Sequence, residues 1–171
     1  MTGMHPLVEE AMKKAAVAWL AVPGRPGPYP VWCLWSDGAL YLVSGPGEQP
    51  APGLEGATVV DVSARGDHGG RIVTWPARVD RLAPDDELWP TIAQQLAGKR
   101  LNAPAGVAET VRRWADECLV ARLVPVGEPI EAAPDLHDAS GAAPPRPTPA
   151  ANRTAKPFRL HRVRGATRPE H

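Results

Sequence analysis

Six tryptophans are the side chains of this 171-residue chain best suited to recognise a ligand. They are Trp19, Trp32, Trp35, Trp75, Trp89 and Trp114. The chain has only one phenylalanine, so these flat rings dominate its aromatic surface. Such rings either fill a hydrophobic core or stack against a flat ligand. Both interpretations stay open here, and the hypothesis of a flat-ring pocket depends on the elements that carry the tryptophans.

Residue types that bind metals or act as nucleophiles are present, but not in the spacing that either chemistry needs. The five histidines are scattered, and no HExxH motif or cysteine–histidine cluster occurs. Ser44 and Ser63 end predicted strands outside any GxSxG context. Cys33 and Cys118 lie in apolar surroundings that are typical of buried thiols. We therefore expect no metal site, and the sequence identifies no catalytic residue.

Charge divides the chain into two parts. Residues 1–143 carry 12 basic and 18 acidic side chains, whereas residues 144–171 carry seven and one. Loss of apolar periodicity predicts a domain over residues 1–127 and a disordered, basic, Pro/Ala/Arg-rich tail over 128–171. The tail has a single aromatic residue, Phe158, so we do not expect nucleic-acid binding. No apolar run reaches the roughly 18 residues of a membrane span, and no signal peptide is recognised, which favours a cytoplasmic protein.

One hairpin organises the elements around these residues, over 29–45 with the sequence YPVWCLWSDGALYLVSG. Two apolar strands, 31–35 and 39–44, flank the turn Ser36-Asp37-Gly38. Asp-Gly is a strong hairpin signal because glycine closes such a turn with positive φ. Both faces of the first strand are apolar, which places the hairpin inside a barrel or sandwich.

The rest of the chain has the pattern of an α+β fold. Further strands are predicted at 16–22, 58–63, 71–82 and 118–126, and helices at 6–16, about 86–101 and 107–116. Pro76 predicts a bulge or an edge position within its strand, because proline cannot donate to the ladder. Strands do not alternate regularly with helices, which favours a mainly antiparallel sheet.

Residues 6–126 resemble the flavin-binding split barrels, the pyridoxamine 5'-phosphate oxidase-like proteins that include the actinobacterial flavin and deazaflavin (F420) oxidoreductases. The resemblance is carried by PVWCLWSDGALYLVSGPG, by the β-branched strand after it, and by RIVTWPARV before the later helices. It implies a six-stranded antiparallel split β-barrel with peripheral helices. It also implies a homodimer with FMN or F420 in a groove between the subunits, where the cofactor does the hydride chemistry.

The resemblance further implies a set of cofactor-binding residues: Trp32, Ser44, Gly45, Gln49, Arg65 and Arg71. Ser44-Gly45 matches the strand end that holds the cofactor phosphate in such proteins. The loop that follows departs from the family. Glu48-Gln49-Pro50 stands where those proteins tend to have a Ser-Arg-Lys type run, and a carboxylate repels phosphate.

Two hypotheses about function therefore stand side by side. The first is an FMN- or F420-dependent oxidoreductase of unknown substrate. The second is a non-catalytic split barrel that has lost the phosphate-binding residues and binds another small molecule or a protein partner. Arg65 and Arg71 could supply the missing positive charge, or they could be surface charges. The visible absorbance of the purified protein would separate the two hypotheses.

Overall fold

The computed structural model describes residues 5–66, 70–100 and 106–132. These residues form an antiparallel sheet with three helices packed around it, which confirms the α+β class. The strands are β1 (Val17–Ala21), β2 (Tyr29–Trp32), β3 (Leu34–Ser36), β4 (Ala39–Ser44), β5 (Val59–Arg65), β6 (Arg71–Arg81), β7 (Leu119–Pro125) and β8 (Glu131–Ala132). The helices are α1 (Pro6–Lys14), α2 (Trp89–Lys99) and α3 (Val107–Glu117).

The sheet is nearly closed into a barrel, because its two end strands, β2 and β3, are consecutive in the chain. The strand order is β2-β1-β5-β6-β7-β4-β3, and β8 pairs with β6. β2 and β3 therefore lie at opposite ends of the sheet, although only Cys33 separates them in sequence. The Cys33 N–H donates to the carbonyl of Ala16, 3.1 Å away, and holds the junction between β2 and β3 against the start of β1. The two ends of the sheet are thus tied together covalently at Cys33.

The sheet has eight strands rather than the six expected from the sequence. One extra strand arises because the predicted strand 31–35 is interrupted at Cys33, where the backbone leaves β1 and turns to β4. The other is β8, which pairs with β6 beyond the predicted domain end at residue 127. A period-two apolar pattern does not reveal a change of partner, and two residues are too few to show a pattern. The predicted tail lies, from residue 133 onward, outside the described residues.

The turn of the central hairpin is confirmed. Asp37 and Gly38 both have positive φ, 47° and 73°, as in the turn type whose twist matches that of the flanking strands. β4 then pairs with β3 on one side and β7 on the other, and all of its residues except Ser44 are buried.

Pro76 lies on a central strand rather than an edge, but at a gap in the neighbouring ladder. β6 pairs with β5 along one side and with β7 and then β8 along the other. The Pro76 carbonyl accepts the Val126 N–H at 2.9 Å, so the Pro76 nitrogen also faces the gap between β7 and β8. A residue without an N–H is tolerated there because the regular ladder is interrupted between β7 and β8. The irregularity between β5 and β6 occurs at Ala64/Arg65 instead.

The core has two parts because the sheet is apolar on both faces. Leu40 and Leu42 pack in the barrel interior, whereas Tyr41 and Val43 pack against α2 and α3 around Trp114. Full burial of one such side chain contributes about 1.5–3 kcal/mol. The core interpretation therefore holds for three of the tryptophans, and the other three are partly exposed. The core tryptophans are Trp75, Trp89 and Trp114; the partly exposed ones are Trp19, Trp32 and Trp35.

Candidate ligand-binding site

A cavity of about 570 Å³ lies where the start of β1, the end of β2, the loop after β4 and the end of α2 meet. Its walls include Trp32, Cys33, Gln49, Lys99 and Arg100. Small-molecule sites commonly enclose about 300–1,000 Å³. An aromatic ring, a thiol, an amide and two cationic side chains thus border one space. Two of the six residues expected to bind a cofactor, Trp32 and Gln49, lie in its wall.

Gln49 holds the loop after β4 against the end of β2. Its Oε1 accepts the Trp32 N–H at 2.6 Å. Its Nε2 donates to the carbonyls of Trp32 and Val43, at 2.9 Å and 3.2 Å. A primary amide has two N–H donors, and both are engaged here. Gln49 therefore positions Trp32 rather than offering a donor to a ligand.

The Trp32 ring is fixed from a second direction by another tryptophan. Its centroid lies 6.2 Å from that of Trp114, with a tilt of 37° between the rings. This separation is within the range of favourable aromatic pairs. Since the ring borders the cavity and is already held in place, little side-chain entropy is lost when a ligand packs against it.

Glu48 turns its carboxylate into the protein, where its side chain is only 1% exposed. Its Oε2 accepts the Arg100 Nε at 2.9 Å, and its Oε1 accepts the Trp114 Nε1 at 2.9 Å. Arg113 Nη2 also donates to Oε1. A buried carboxylate is stable only when it is paired and hydrogen-bonded, and these donors meet that need. The loop after β4 is thereby joined to α3 and to the end of α2.

The same two arginines also bind the backbone of this loop. Arg100 Nη2 donates to the Gly47 carbonyl at 2.9 Å, and Arg113 Nη1 donates to the Pro46 carbonyl at 2.6 Å. The third nitrogen of Arg100, Nη1, is buried and has no hydrogen-bond partner among the described residues. Two guanidinium groups thus share one carboxylate, and Lys99 adds another positive charge at the cavity wall. This excess favours an anionic or electron-rich ligand.

Cys33 borders the cavity as a neutral thiol. Burial raises the pKa of this thiol from 9.0 to about 12, although the positive charge of Lys99 opposes the shift. Its Sγ lies 3.9 Å from the Ala15 carbonyl, a weak hydrogen bond. The thiolate is the form that attacks electrophiles and binds metals, so Cys33 is unsuited to either role near neutral pH. Both cysteines are buried, as the sequence predicted.

Ser44 and Gly45 face a different space on the other side of the same loop. They border a second cavity of about 520 Å³, to which Glu48 also contributes. The other charged residues of its wall are Glu55, Arg81, Asp116 and Glu117. The Ser44 Oγ accepts the Ala51 N–H at 3.1 Å. Gly45 has φ of 150°, and a Cβ there would lie 3.0 Å from the Cα of Cys118. Both residues thus shape the loop beside a mainly acidic cavity.

Arg65 and Arg71 lie opposite each other across β5 and β6, away from Ser44. The Arg65 guanidinium carbon lies 4.2 Å from the centroid of the Trp19 ring. Arg71 Nη1 pairs with the Glu131 carboxylate at 2.9 Å. Ser44 shares its cavity with Arg81, at the other end of β6 from Arg71. Within one chain the six expected residues therefore occupy three places, and their assignment to a cofactor stays a prediction.

No pattern in the sequence marks Lys99, Arg100 or Arg113 as site residues, and Glu48 was expected only to repel phosphate. Arg100 and Arg113 lie 52 and 65 residues from Glu48, so no local spacing connects them. A basic pair at the end of a helix is explained equally well by the helix dipole. The available hint is Arg113, which adjoins Trp114 at the border of the apolar face of α3.

Residues 5–66, 70–100 and 106–132 form neither a metal site nor a membrane-spanning helix. No group of three or more His, Cys, Asp or Glu side chains in these ranges is placed to hold a metal ion. Nor do these ranges include a helix that is long and apolar enough to cross a bilayer.

The chain matches no protein-family model, and no curated protein matches it in sequence. Solved structures do match it. HutZ, the haem storage protein from Vibrio cholerae, is 18% identical with a TM-score of 0.56, over 74% of this chain and 92% of HutZ. The conserved hypothetical protein Rv2991 from Mycobacterium tuberculosis is 12% identical with a TM-score of 0.52, over 87% and 94%. A candidate pyridoxamine 5'-phosphate oxidase from Listeria innocua is 15% identical with a TM-score of 0.50, over 72% and 94%.

These similarities decide the architecture. The chain has the split-barrel fold. At identities of 12–18% the similarity is one of fold, and it confirms the architecture that the hairpin and the element order predicted. Since at least 92% of each of these three proteins is covered, the shared unit is nearly their whole length.

Proposed function

We propose that this protein binds a flavin-type cofactor, FMN or F420, in the cavity beside Trp32 and uses it for oxidoreductase chemistry. The observation that supports this proposal is the fixed aromatic wall of Trp32 next to Lys99 and Arg100 in one cavity. Flavin and deazaflavin rings are flat and gain electron density on reduction. An aromatic wall and nearby positive charge therefore both suit them.

The side chains present fit such a ring. Trp32 would provide a flat apolar surface, while Lys99 and Arg100 would provide positive charge. Gln49 would keep Trp32 in place, and Cys33 would stay a neutral thiol. A flavin or deazaflavin supplies hydride or electron transfer when bound, so the task left to the protein is to orient the ring.

The names of the matched proteins support a small-molecule role for this fold, since one is a haem storage protein and another a candidate pyridoxamine 5'-phosphate oxidase. Haem fits this cavity less well than flavin. Haem iron is held by His, Cys thiolate, Met or Tyr. Among the described residues of the cavity wall, Cys33 is the one side chain of these types, and its thiol has a pKa of about 12.

Absorbance and titration of the purified full-length protein test the proposal. We expect flavin or deazaflavin bands in the visible spectrum, or saturable quenching of FMN or F420 fluorescence on mixing. Trp32→Leu should weaken binding by up to roughly tenfold, the worth of one aromatic contact. Lys99→Met should weaken it by a few-fold, whereas Lys13→Met on the exposed face of α1 should have no effect. A colourless protein that binds neither cofactor contradicts the proposal.

A second candidate function is a non-catalytic split barrel that binds another small molecule or a protein partner. It is favoured by Glu48, because this carboxylate occupies the arginines that a cofactor phosphate would otherwise use. The same titration separates the two functions, since this alternative requires that neither FMN nor F420 binds at any workable concentration.

We further propose that the protein is a homodimer. Val17 on β1 and Val59 on the adjoining β5 are 45% and 41% exposed. Exposed apolar surface on a sheet is commonly covered by a second copy in symmetric oligomers. Size-exclusion chromatography at several concentrations should give the mass of a dimer, and a persistent monomer with a stable melt contradicts it. Cytoplasmic localisation and the actinobacterial type stay predictions from the sequence.

A further inference from the structure

Glu48 places an anion of the protein itself on two arginines, of which Arg100 lines the ligand cavity. Its carboxylate accepts hydrogen bonds from Arg100, Arg113 and Trp114. The Glu48 side chain is 1% exposed, against 15% for Arg100 and 29% for Arg113. Glu48 and Arg100 both line the cavity beside Trp32, so this ion-pair cluster of Glu48, Arg100 and Arg113 adjoins the ligand cavity.

We propose that Arg100 and Arg113 form a latent phosphate-binding site that Glu48 keeps filled, so that the cavity recognises the flat ring of its ligand and not a phosphate group. Paired guanidinium groups are well suited to phosphate or carboxylate, because their N–H groups form charge-assisted bonds with either. The site therefore has the chemistry to hold a phosphate, and its occupant is the Glu48 side chain.

The backbone explains why an internal anion prevails over a dissolved one. Glu48 donates its N–H to the Gly45 carbonyl at 3.0 Å, and the neighbouring carbonyls of Pro46 and Gly47 bind the same arginines. The carboxylate is thus tethered beside its partners at a high effective concentration, whereas a phosphate must bind from solution. The ring specificity rests on the proposed function, but the latent site follows from this geometry alone.

A comparison of riboflavin with FMN tests the proposal, because the two ligands differ only by the phosphate. Fluorescence titrations use the wild type, Glu48→Gln, and the control Glu55→Gln, which removes an exposed charge from the same part of the chain. The wild type and the control should bind the two ligands within about threefold of each other. Glu48→Gln should prefer FMN by about tenfold or more, the effect of one or two charge-assisted hydrogen bonds. A wild type that itself prefers FMN about tenfold, or a Glu48→Gln variant without preference, overturns the proposal.

Inorganic phosphate provides a readout that is independent of any flavin. Phosphate should raise the melting temperature of Glu48→Gln and leave those of the wild type and Glu55→Gln unchanged. If neither FMN nor F420 binds to any variant, the proposed function fails, and the phosphate result alone decides whether the latent site exists. Equal responses of all three proteins to phosphate overturn it.

A further variant covers the case in which Glu48→Gln does not fold. Arg113→Gln removes one guanidinium while Glu48 still pairs with Arg100. If the arginines do not contact the ligand phosphate, the affinity ratio of FMN to riboflavin stays at its wild-type value. A selective loss of FMN affinity in Arg113→Gln overturns the proposal.

Discussion

Two pairs of arginines in this molecule show how differently the fold can use the same residue type. Arg65 and Arg71 lie directly opposite each other on adjacent strands, but their guanidinium groups have separate partners, Trp19 and Glu131. Arg100 follows α2 and Arg113 lies on α3, yet both donate to the single carboxylate of Glu48. Among the described residues, the first pair lies side by side with different partners, and the second pair shares one carboxylate.

The difference teaches that a shared anion, rather than proximity of strand ends, identifies a site for negative charge. Like charges opposite each other on adjacent strands repel, and Arg65 and Arg71 are stabilised individually. Arg100 and Arg113 are brought together by a loop that contributes Glu48 and two carbonyls. Arg100 and Glu48 also line the cavity beside Trp32, so the second pair is the one that bears on ligand binding.

Glu48→Gln, which removes the anion shared by Arg100 and Arg113, should cause the largest loss of stability. This change leaves two partly buried guanidinium groups without their shared anion and turns an amide N–H toward one of them. Breaking a buried ion pair by removing one partner typically costs about 3–5 kcal/mol, and we expect a loss of that size in the free energy of unfolding. Urea denaturation followed by tryptophan fluorescence measures it.

The matched control is Glu55→Gln, which also removes one negative charge near the same loop. Glu55 is exposed, so its substitution should change the free energy of unfolding by less than about 0.5 kcal/mol. If the two variants are equally stable, the ion pairs of Glu48 with Arg100 and Arg113 do not stabilise the loop after β4. The shared anion would then contribute nothing measurable to folding.

Gly45→Ala tests whether the path of the loop brings Glu48 to its arginines. Gly45 has φ of 150°, and an added Cβ would lie 3.0 Å from both the Cα and the Sγ of Cys118. Backbone strain and overpacking together should lower the free energy of unfolding by about 2–4 kcal/mol. Gly56→Ala is the control, because a Cβ there meets nothing within 4 Å. Similar denaturation midpoints for the two variants would show that the loop adapts without strain.

Local signals predicted most of the fold. The boundaries of β4 were predicted to the residue, because an apolar run and an Asp-Gly turn lie next to each other in sequence. The interruption at Cys33 was not, because the chain there changes partner strands without changing its apolar pattern. Local composition determines where a strand lies, and long-range pairing determines which strands it joins.

The candidate site was predicted only in part for the same reason. Trp32 and Gln49 were expected to lie near a ligand, and they line one cavity. The two hydrogen bonds of Gln49 to the Trp32 backbone span 17 residues, and those of Glu48 to the arginines span more than 50. Glu48 was expected to repel phosphate, and the structure adds that its charge is balanced by arginines from two other elements. No spacing rule in a single sequence contains that information.

Gln49→Ala should have a smaller effect, because it removes hydrogen bonds between neutral groups. It leaves the N–H and carbonyl of Trp32 without their side-chain partner, at a cost of about 1–3 kcal/mol. Hydrogen exchange of the Trp32 amide should accelerate more than that of the strand interior, since this amide loses its acceptor. Gln94→Ala on the exposed face of α2 serves as the control and should be nearly neutral. An unchanged exchange rate at Trp32 would contradict the positioning role.

Arg65→Ala and Arg71→Ala should have the smallest effects. The first removes a partly exposed cation–π contact, about 0.5–1 kcal/mol, and the second a partly exposed ion pair, about 0–1 kcal/mol. Each single change also relieves the repulsion between the two opposite arginines. The double variant gains that relief only once, so its loss should exceed the sum of the single losses by about a few tenths of a kcal/mol. This excess should shrink in high salt, which screens exposed charges. A double-mutant cycle from urea denaturation measures the coupling, and a double variant that loses less than the sum would show that the two arginines cooperate after all.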